Sequence, residues 1–210
     1  MKGLLLKDFY CLKQNLKYMF FVLLLFGIIF IPQGNNGFSS VLIMLFAMMV
    51  ITTLSYDHAG KWDNFALTMP ITRKMLVQSK YVLLLLMLLA GIVISLLCSV
   101  IGAAFKGFLD FTETGVEIGA VAMVAVWMAS LLLPLIYKFG VERARLFLML
   151  VFALPVVIIM VVTSMFKDVS MPNITPEQLA PLAAVLPILT IFVYIASYMI
   201  SVKIYQKKEL

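Results

Sequence analysis

The 39 residues from Tyr18 to Tyr56 contain no Asp, Glu, Lys, Arg or His. One straight helix of that length would measure about 58 Å at about 1.5 Å per residue. The hydrocarbon core of a bilayer is only about 30 Å thick. The run therefore predicts two membrane helices. The break falls at Pro32-Gln33-Gly34-Asn35-Asn36-Gly37, residue types that stop helices and turn the chain. Helix 1 is expected over 18–32 and helix 2 over 38–56.

Four more apolar runs follow, at 81–105, 118–137, 146–166 and 182–202. Each approaches the roughly 20 residues that a crossing needs. The chain is 64% hydrophobic and 12% charged, about half the charge fraction of a soluble domain. The expectation is one all-α membrane domain over 1–210, with six transmembrane helices. Pro134 and Pro155 lie inside spans, where proline is tolerated and kinks the helix. A packing kink and a functional hinge both remain open there. Pro172, Pro176 and Pro181 suggest an extended or turn-rich loop over 167–181. Asn173-Ile174-Thr175 matches the glycosylation pattern but is followed by Pro176, and no role is assigned to it.

Orientation follows from Lys and Arg. Fourteen of the sixteen lie in the N-terminal segment, the loops after helices 2 and 4, and the C-terminal tail; Lys106 and Lys167 alone lie on the other side. The rule puts the rich side, and both termini, in the cytoplasm. The basic balance reflects topology and does not call for nucleic acid. Residues 1–17 carry four lysines and are followed by no small-residue cleavage site, so the first apolar run is expected to stay as a membrane helix. Leu5, Phe9, Leu12 and Leu16 recur at helical spacing. They suggest an amphipathic helix in the inner interface, its lysines near anionic lipid headgroups. A plain extension of helix 1 is the alternative.

Several chemistries are excluded or disfavoured. Span centres carry no charge, so a proton relay is not built into them. Ser95, Ser99, Ser130, Thr163, Ser164 and Thr190 have no adjacent His or Lys to activate a nucleophile, and read as helix-packing residues. Cys11 and Cys98 read as free thiols, and His58, the single histidine, makes no metal cluster alone. No Gly-x-x-x-x-Gly-Lys-Ser/Thr phosphate loop is present. The chain is therefore not expected to be an enzyme or to bind ATP itself.

The loop after helix 2 is unusual for a connector. Trp62, Phe65, Ala66 and Met69 fall at helical spacing; Asp63 favours the positive end of a short helix, and Pro70 would end it. Thr72 is a candidate N-cap for the approach to helix 3. Pattern alone leaves two roles open: docking into a partner's groove, or lying on the membrane surface.

The stretch Trp62-Asp63-Asn64-Phe65-Ala66-Leu67-Thr68-Met69-Pro70-Ile71-Thr72-Arg73, with Ser79-Lys80-Tyr81, resembles the signature loop of small ABC-type-2 permeases. Gly3-Leu4-Leu5-Leu6-Lys7-Asp8-Phe9 is similar to that family's N-terminal interface helix. The nearest likeness is to permease subunits of bacterial exporters of phenol-soluble modulins and related amphipathic peptides. The resemblance implies a bacterial cell-membrane location, a second permease subunit, and a separate ATPase that binds ATP and Mg. It implies that helix 63–70 is a coupling helix seated on that ATPase. Asp63, Asn64, Phe65, Thr68, Met69, Pro70 and Arg73 would carry the contact. Phe65 and Met69 would supply its apolar anchor, and Asp63 and Arg73 its polar rim. Lys7 and Asp8 would belong to a second contact on the N-terminal helix. The other readings are a non-pumping membrane assembly or immunity protein and, last, a passive channel.

Overall fold

A computed structural model of the protein describes residues 2–33, 37–66, 68–106, 111–144, 146, 147, 149 and 176–207. The described residues are helical, with no strand among them. The helices are α1 (Lys2–Gln33), α2 (Gly37–Ala59), the short α3 (Trp62–Ala66), α4 (Arg73–Lys106), α5 (Phe111–Phe139) and α6 (Pro176–Lys207). A further helical stretch starts at Val141.

Four segments are long and apolar enough to cross a membrane: Ser40–Ala59, Arg73–Gly102, Thr112–Phe139 and Val185–Lys207. α1 makes a fifth if its two halves, Lys2–Lys13 and Lys17–Phe30, bent by 59°, count as one span. The described residues thus hold four or five of the six expected crossings. The crossing expected at 146–166 lies almost entirely outside them. The bend separates the expected interface segment from the expected first span. Asn15, at the bend, accepts a hydrogen bond from the Tyr56 hydroxyl at 3.1 Å.

The helices run past the expected spans. α4 starts at Arg73, eight residues before the expected 81, because Thr72 caps it: its Oγ1 accepts from Met75 N at 3.3 Å, and its carbonyl from Met75 N and Leu76 N. α6 starts at Pro176, inside the expected loop. Proline suits a first helical position because its missing N–H has no intrahelical partner there. At the other end α5 closes on Gly140, whose φ of 81° is left-handed and whose N–H bonds to the Ile136 carbonyl at 2.9 Å.

Contacts fix the directions. α2 and α4 are antiparallel and so close that a Cβ on Gly91 would lie 3.1 Å from Phe46 Cβ and 3.3 Å from Ile43 Cα. Close backbone approach through small residues is how membrane helices gain packing contact. α5 and α6 are parallel neighbours: Trp127 Nε1 donates to Thr190 Oγ1 at 2.8 Å, Ser197 Oγ to the Ser130 carbonyl at 2.6 Å, and the Tyr137 and Tyr205 rings meet edge to face. α4 runs against α6, with the Tyr81 hydroxyl 2.6 Å from Ser197 Oγ and 2.8 Å from Ser201 Oγ. Thr190 is thus a helix-packing group, as expected. Ser40 Oγ, near the start of α2, donates to Glu117 near the start of α5.

α2 sits at the centre, with Leu42, Ile43, Phe46, Val50 and Leu54 buried against α4 and α5. α6 packs along one side only; Ile188, Ile191, Phe192, Ile195 and Met199 point outward. An apolar surface of that extent suits a lipid environment.

Candidate functional site

Both termini of the helical bundle meet at one end. Leu4 of α1, Asp57 of α2, Trp62 of α3, Leu76 of α4, Tyr137 of α5 and Tyr205 of α6 border a single small pocket there. This end gathers the lysine-bearing start of α1, the connection between α2 and α4, and the last turns of α6.

At its centre four charges form a closed ring. Lys80 Nζ lies 2.7 Å from Asp8 Oδ1 and 2.6 Å from Asp57 Oδ2. Lys7 Nζ lies 3.2 Å from Asp8 Oδ1 and also pairs with Asp57. Each charge touches two of the opposite sign, and the quartet is neutral. Lys80 further donates to Thr53 Oγ1 at 3.4 Å. Thr53 has an acceptor free for this because its own hydroxyl proton goes to the Val50 carbonyl at 2.8 Å.

Helical periodicity explains the convergence. On α1, Leu4, Asp8 and Leu12 are spaced by four and share one buried face. On α2, Thr53 and Asp57 are likewise four apart. Asp8 is only 1% exposed. A lone charge there would incur a large desolvation cost; in the ring it has two ammonium partners.

α3 is joined to this ring. After α2, Gly60 N bonds to the Tyr56 carbonyl and Lys61 N to that of His58. Lys61 takes a left-handed φ of 47°, which turns the chain into α3. Trp62 then receives the Lys7 ammonium over its ring, 4.4 Å from the centroid, a cation–π contact.

The expected helix 63–70 is shorter in the structure. It ends at Ala66, and turns carry the chain on: Thr68 N bonds to the Phe65 carbonyl and Met69 N to that of Ala66. Pro70 has no N–H to extend the ladder and disfavours a helical Met69. Thr68 Oγ1 takes up the Phe65 carbonyl at 2.8 Å instead.

The expected contact residues therefore occupy different settings. Phe65 is 55% exposed, with Thr68 and Pro70 also outward. Met69 is half-buried, and Ala66 is fully buried. Asp63 and Asn64 belong to α3 by backbone; their side chains lie outside the described ones. Arg73 donates to the Gln206 carbonyl at 2.9 Å and, more weakly, to that of Tyr205 at 3.4 Å. It ties the start of α4 to the negative end of α6. Lys7 and Asp8 face the quartet, so Asp8 looks into the protein in this arrangement. On α1 the expected stripe splits: Leu12 is buried and Phe9 is exposed.

Sequence reading missed Asp57, Lys80 and Thr53 as site residues. Asp57 and Lys80 each adjoin an expected span end, where a charge reads as a boundary marker. The available signal was that Asp57 and Lys80 adjoin apolar spans on the same side as the N-terminal segment that carries Asp8.

No curated protein and no solved structure matches the chain. A family model described as ABC-2 family transporter protein matches residues 3–206. That match runs from the first turn of α1 to the last turn of α6. It takes in the membrane-length helices, the short α3 and the quartet together, and the chain belongs to the ABC-2 family of transporter proteins.

Proposed function

We propose that this chain is the permease subunit of an ATP-driven exporter, working with a second permease subunit, identical or different, and a separate ATPase that binds ATP and Mg. The observation that carries this reading is α3. It is a short helix at the basic end of the bundle with Phe65 turned out, on a chain belonging to a transporter family. An exposed aromatic beside a half-buried Met69 suits a groove on a partner.

The chain then crosses six times with both termini in the cytoplasm of a bacterial cell. Parallel packing of α5 and α6 favours this count. Both helices end at the basic end, so a sixth crossing between them restores the alternation. The favoured cargo is an amphipathic or hydrophobic peptide, in keeping with the sequence resemblance and the uncharged span interiors. Anionic headgroups are the lipid contact for the exposed Lys2, Lys13 and Lys17.

Replacing both anchors, Phe65→Ala with Met69→Ala, tests the reading. Co-purification in mild detergent is expected to show ATPase association weakened by at least about tenfold, the scale of losing a central aromatic anchor, with transport lost. Unchanged association and export would overturn it. Stable capture of a different membrane protein with no ATPase would favour a non-pumping assembly or immunity role.

A further inference from the structure

The four charges do more than neutralise one another. Lys7 and Asp8 come from α1, Asp57 from α2 and Lys80 from α4, while Lys7 also sits on Trp62 of α3. One ring therefore reaches four elements. It is poor in water around Asp8, 1% exposed, and Lys80, 6% exposed, and more open at Lys7, whose side chain is 21% exposed. Removing a single member from such a ring leaves an unpaired buried charge, which is strongly disfavoured. Intermediate, half-open arrangements carry the same penalty. The ring is therefore either closed, or fully opened and hydrated; packed interfaces switch between discrete states in this way.

We propose that Lys7, Asp8, Asp57 and Lys80 are positioning residues forming a mechanical joint. The joint makes α3 move as one body with the N-terminal half of α1, the end of α2 and the start of α4. Force applied at the exposed side of α3 passes through Trp62 to Lys7. From Lys7 it passes through the two aspartates to Lys80 at the foot of α4. Without the joint, α3 would be held by the burial of Ala66 and by the turns on either side, at Gly60-Lys61 and at 68–72, and more of its displacement would be absorbed in those turns. The proposal rests on the transporter reading for its use, but the rigidity it asserts belongs to the chain itself.

The ring's symmetry supplies the test. Lys7→Met with Asp57→Asn removes one opposite pair and leaves Lys80 with Asp8. Asp8→Asn with Lys80→Met removes the other pair and leaves Lys7 with Asp57 and Trp62. Neither double variant strands a charge, so both should fold. In a Cys11→Ser, Cys98→Ala background, spin labels go on Phe65→Cys in α3 and Tyr10→Cys in α1, both exposed positions. The full chain is reconstituted in phosphatidylcholine–phosphatidylglycerol vesicles. Pulsed dipolar spectroscopy then gives the width of the α1–α3 distance distribution.

The parent is expected to give one narrow distribution. Lys7→Met/Asp57→Asn is expected to widen it at least twofold, with cooperative thermal unfolding retained. A second label pair, Phe65→Cys with Gln78→Cys on α4, is expected to widen in Asp8→Asn/Lys80→Met. Parental widths in both double variants would overturn the joint and leave the ring a purely local neutralising device. This readout needs no ATPase. Failure of the ATPase to bind the parent would count against the transporter reading while leaving the distance result standing. With the ATPase bound, both double variants should lose at least about tenfold in transported cargo per ATP hydrolysed; parental coupling in both would equally overturn the joint.

Discussion

Lys80 shows how much one buried side chain can depend on its neighbours. Its ammonium is held by two carboxylates and a threonine hydroxyl. Lys80→Met alone would leave Asp8 and Asp57 sharing only Lys7. Breaking a buried pair on one side typically costs about 3–5 kcal/mol, and that loss is expected here in denaturant or thermal unfolding in detergent. Lys74→Met, six residues earlier and exposed, is the matched control, expected to stay within about 0.5 kcal/mol of the parent. Equal stability of the two variants would mean that the ring contributes nothing beyond a surface ion pair. The residue scale is where sequence reading was least complete. Charges beside apolar runs were legible as topology markers. Their mutual contact was not, because Asp8, Asp57 and Lys80 are 49 and 23 residues apart in turn, and pairing over such distances is set by how the helices dock.

Among elements, α2 and α4 pack most tightly, and Gly91 is the reason they can. The atom nearest after Phe46 Cβ is Ile43 Cα, which is backbone and cannot swing aside. Gly91→Ala is expected to cost about 1–3 kcal/mol through overpacking, and Gly91→Leu to abolish the folded bundle in detergent. Gly119, where a Cβ would meet nothing within 4 Å, is expected to accept alanine with no loss. If Gly91→Ala melts with the parent and with Gly119→Ala, the helices are looser than described. The ends of elements were partly legible. Thr72 as an N-cap follows from local chemistry and agrees with the start of α4; of the expected break, Pro32 and Gln33 are still helical and 34–36 lie outside the described residues. The early ending of α3 does not follow as simply. Pro70 was the obvious stop, but its reach back to Ala66, and the Thr68 hydroxyl's hold on the Phe65 carbonyl, move the ending four residues upstream.

At the scale of the whole molecule, the described basic segments of α1, of the α2–α4 connection and of the end of α6 share one end of the bundle, and the proposed topology, from the positive-inside rule, puts that end in the cytoplasm. Thiol labelling can check the assignment. In the Cys11→Ser, Cys98→Ala background, a membrane-impermeant maleimide applied to intact cells should label Gly115→Cys, near the start of α5, and not Lys74→Cys, at the start of α4. The reverse pattern would invert the topology and remove α3 from reach of a cytoplasmic ATPase.

The amino-acid sequence alone determined that this chain is a helical membrane protein. A 39-residue run without a charge has few other solvents open to it, and helix periodicity and breakers act locally. The same local chemistry marked 62–73 as an exposed motif and carried the resemblance to permeases, later matched by the family. Tertiary structure decided what that motif is attached to. The spans are apolar on nearly every side, so composition cannot tell a helix's lipid face from its protein face. Only docking shows that Asp8 turns inward to Lys80, that Arg73 is spent on the end of α6, and that Trp62 rests on Lys7. Pairing among distant charges depends on distances of a few ångströms across helices, and those distances exist only once the bundle has formed.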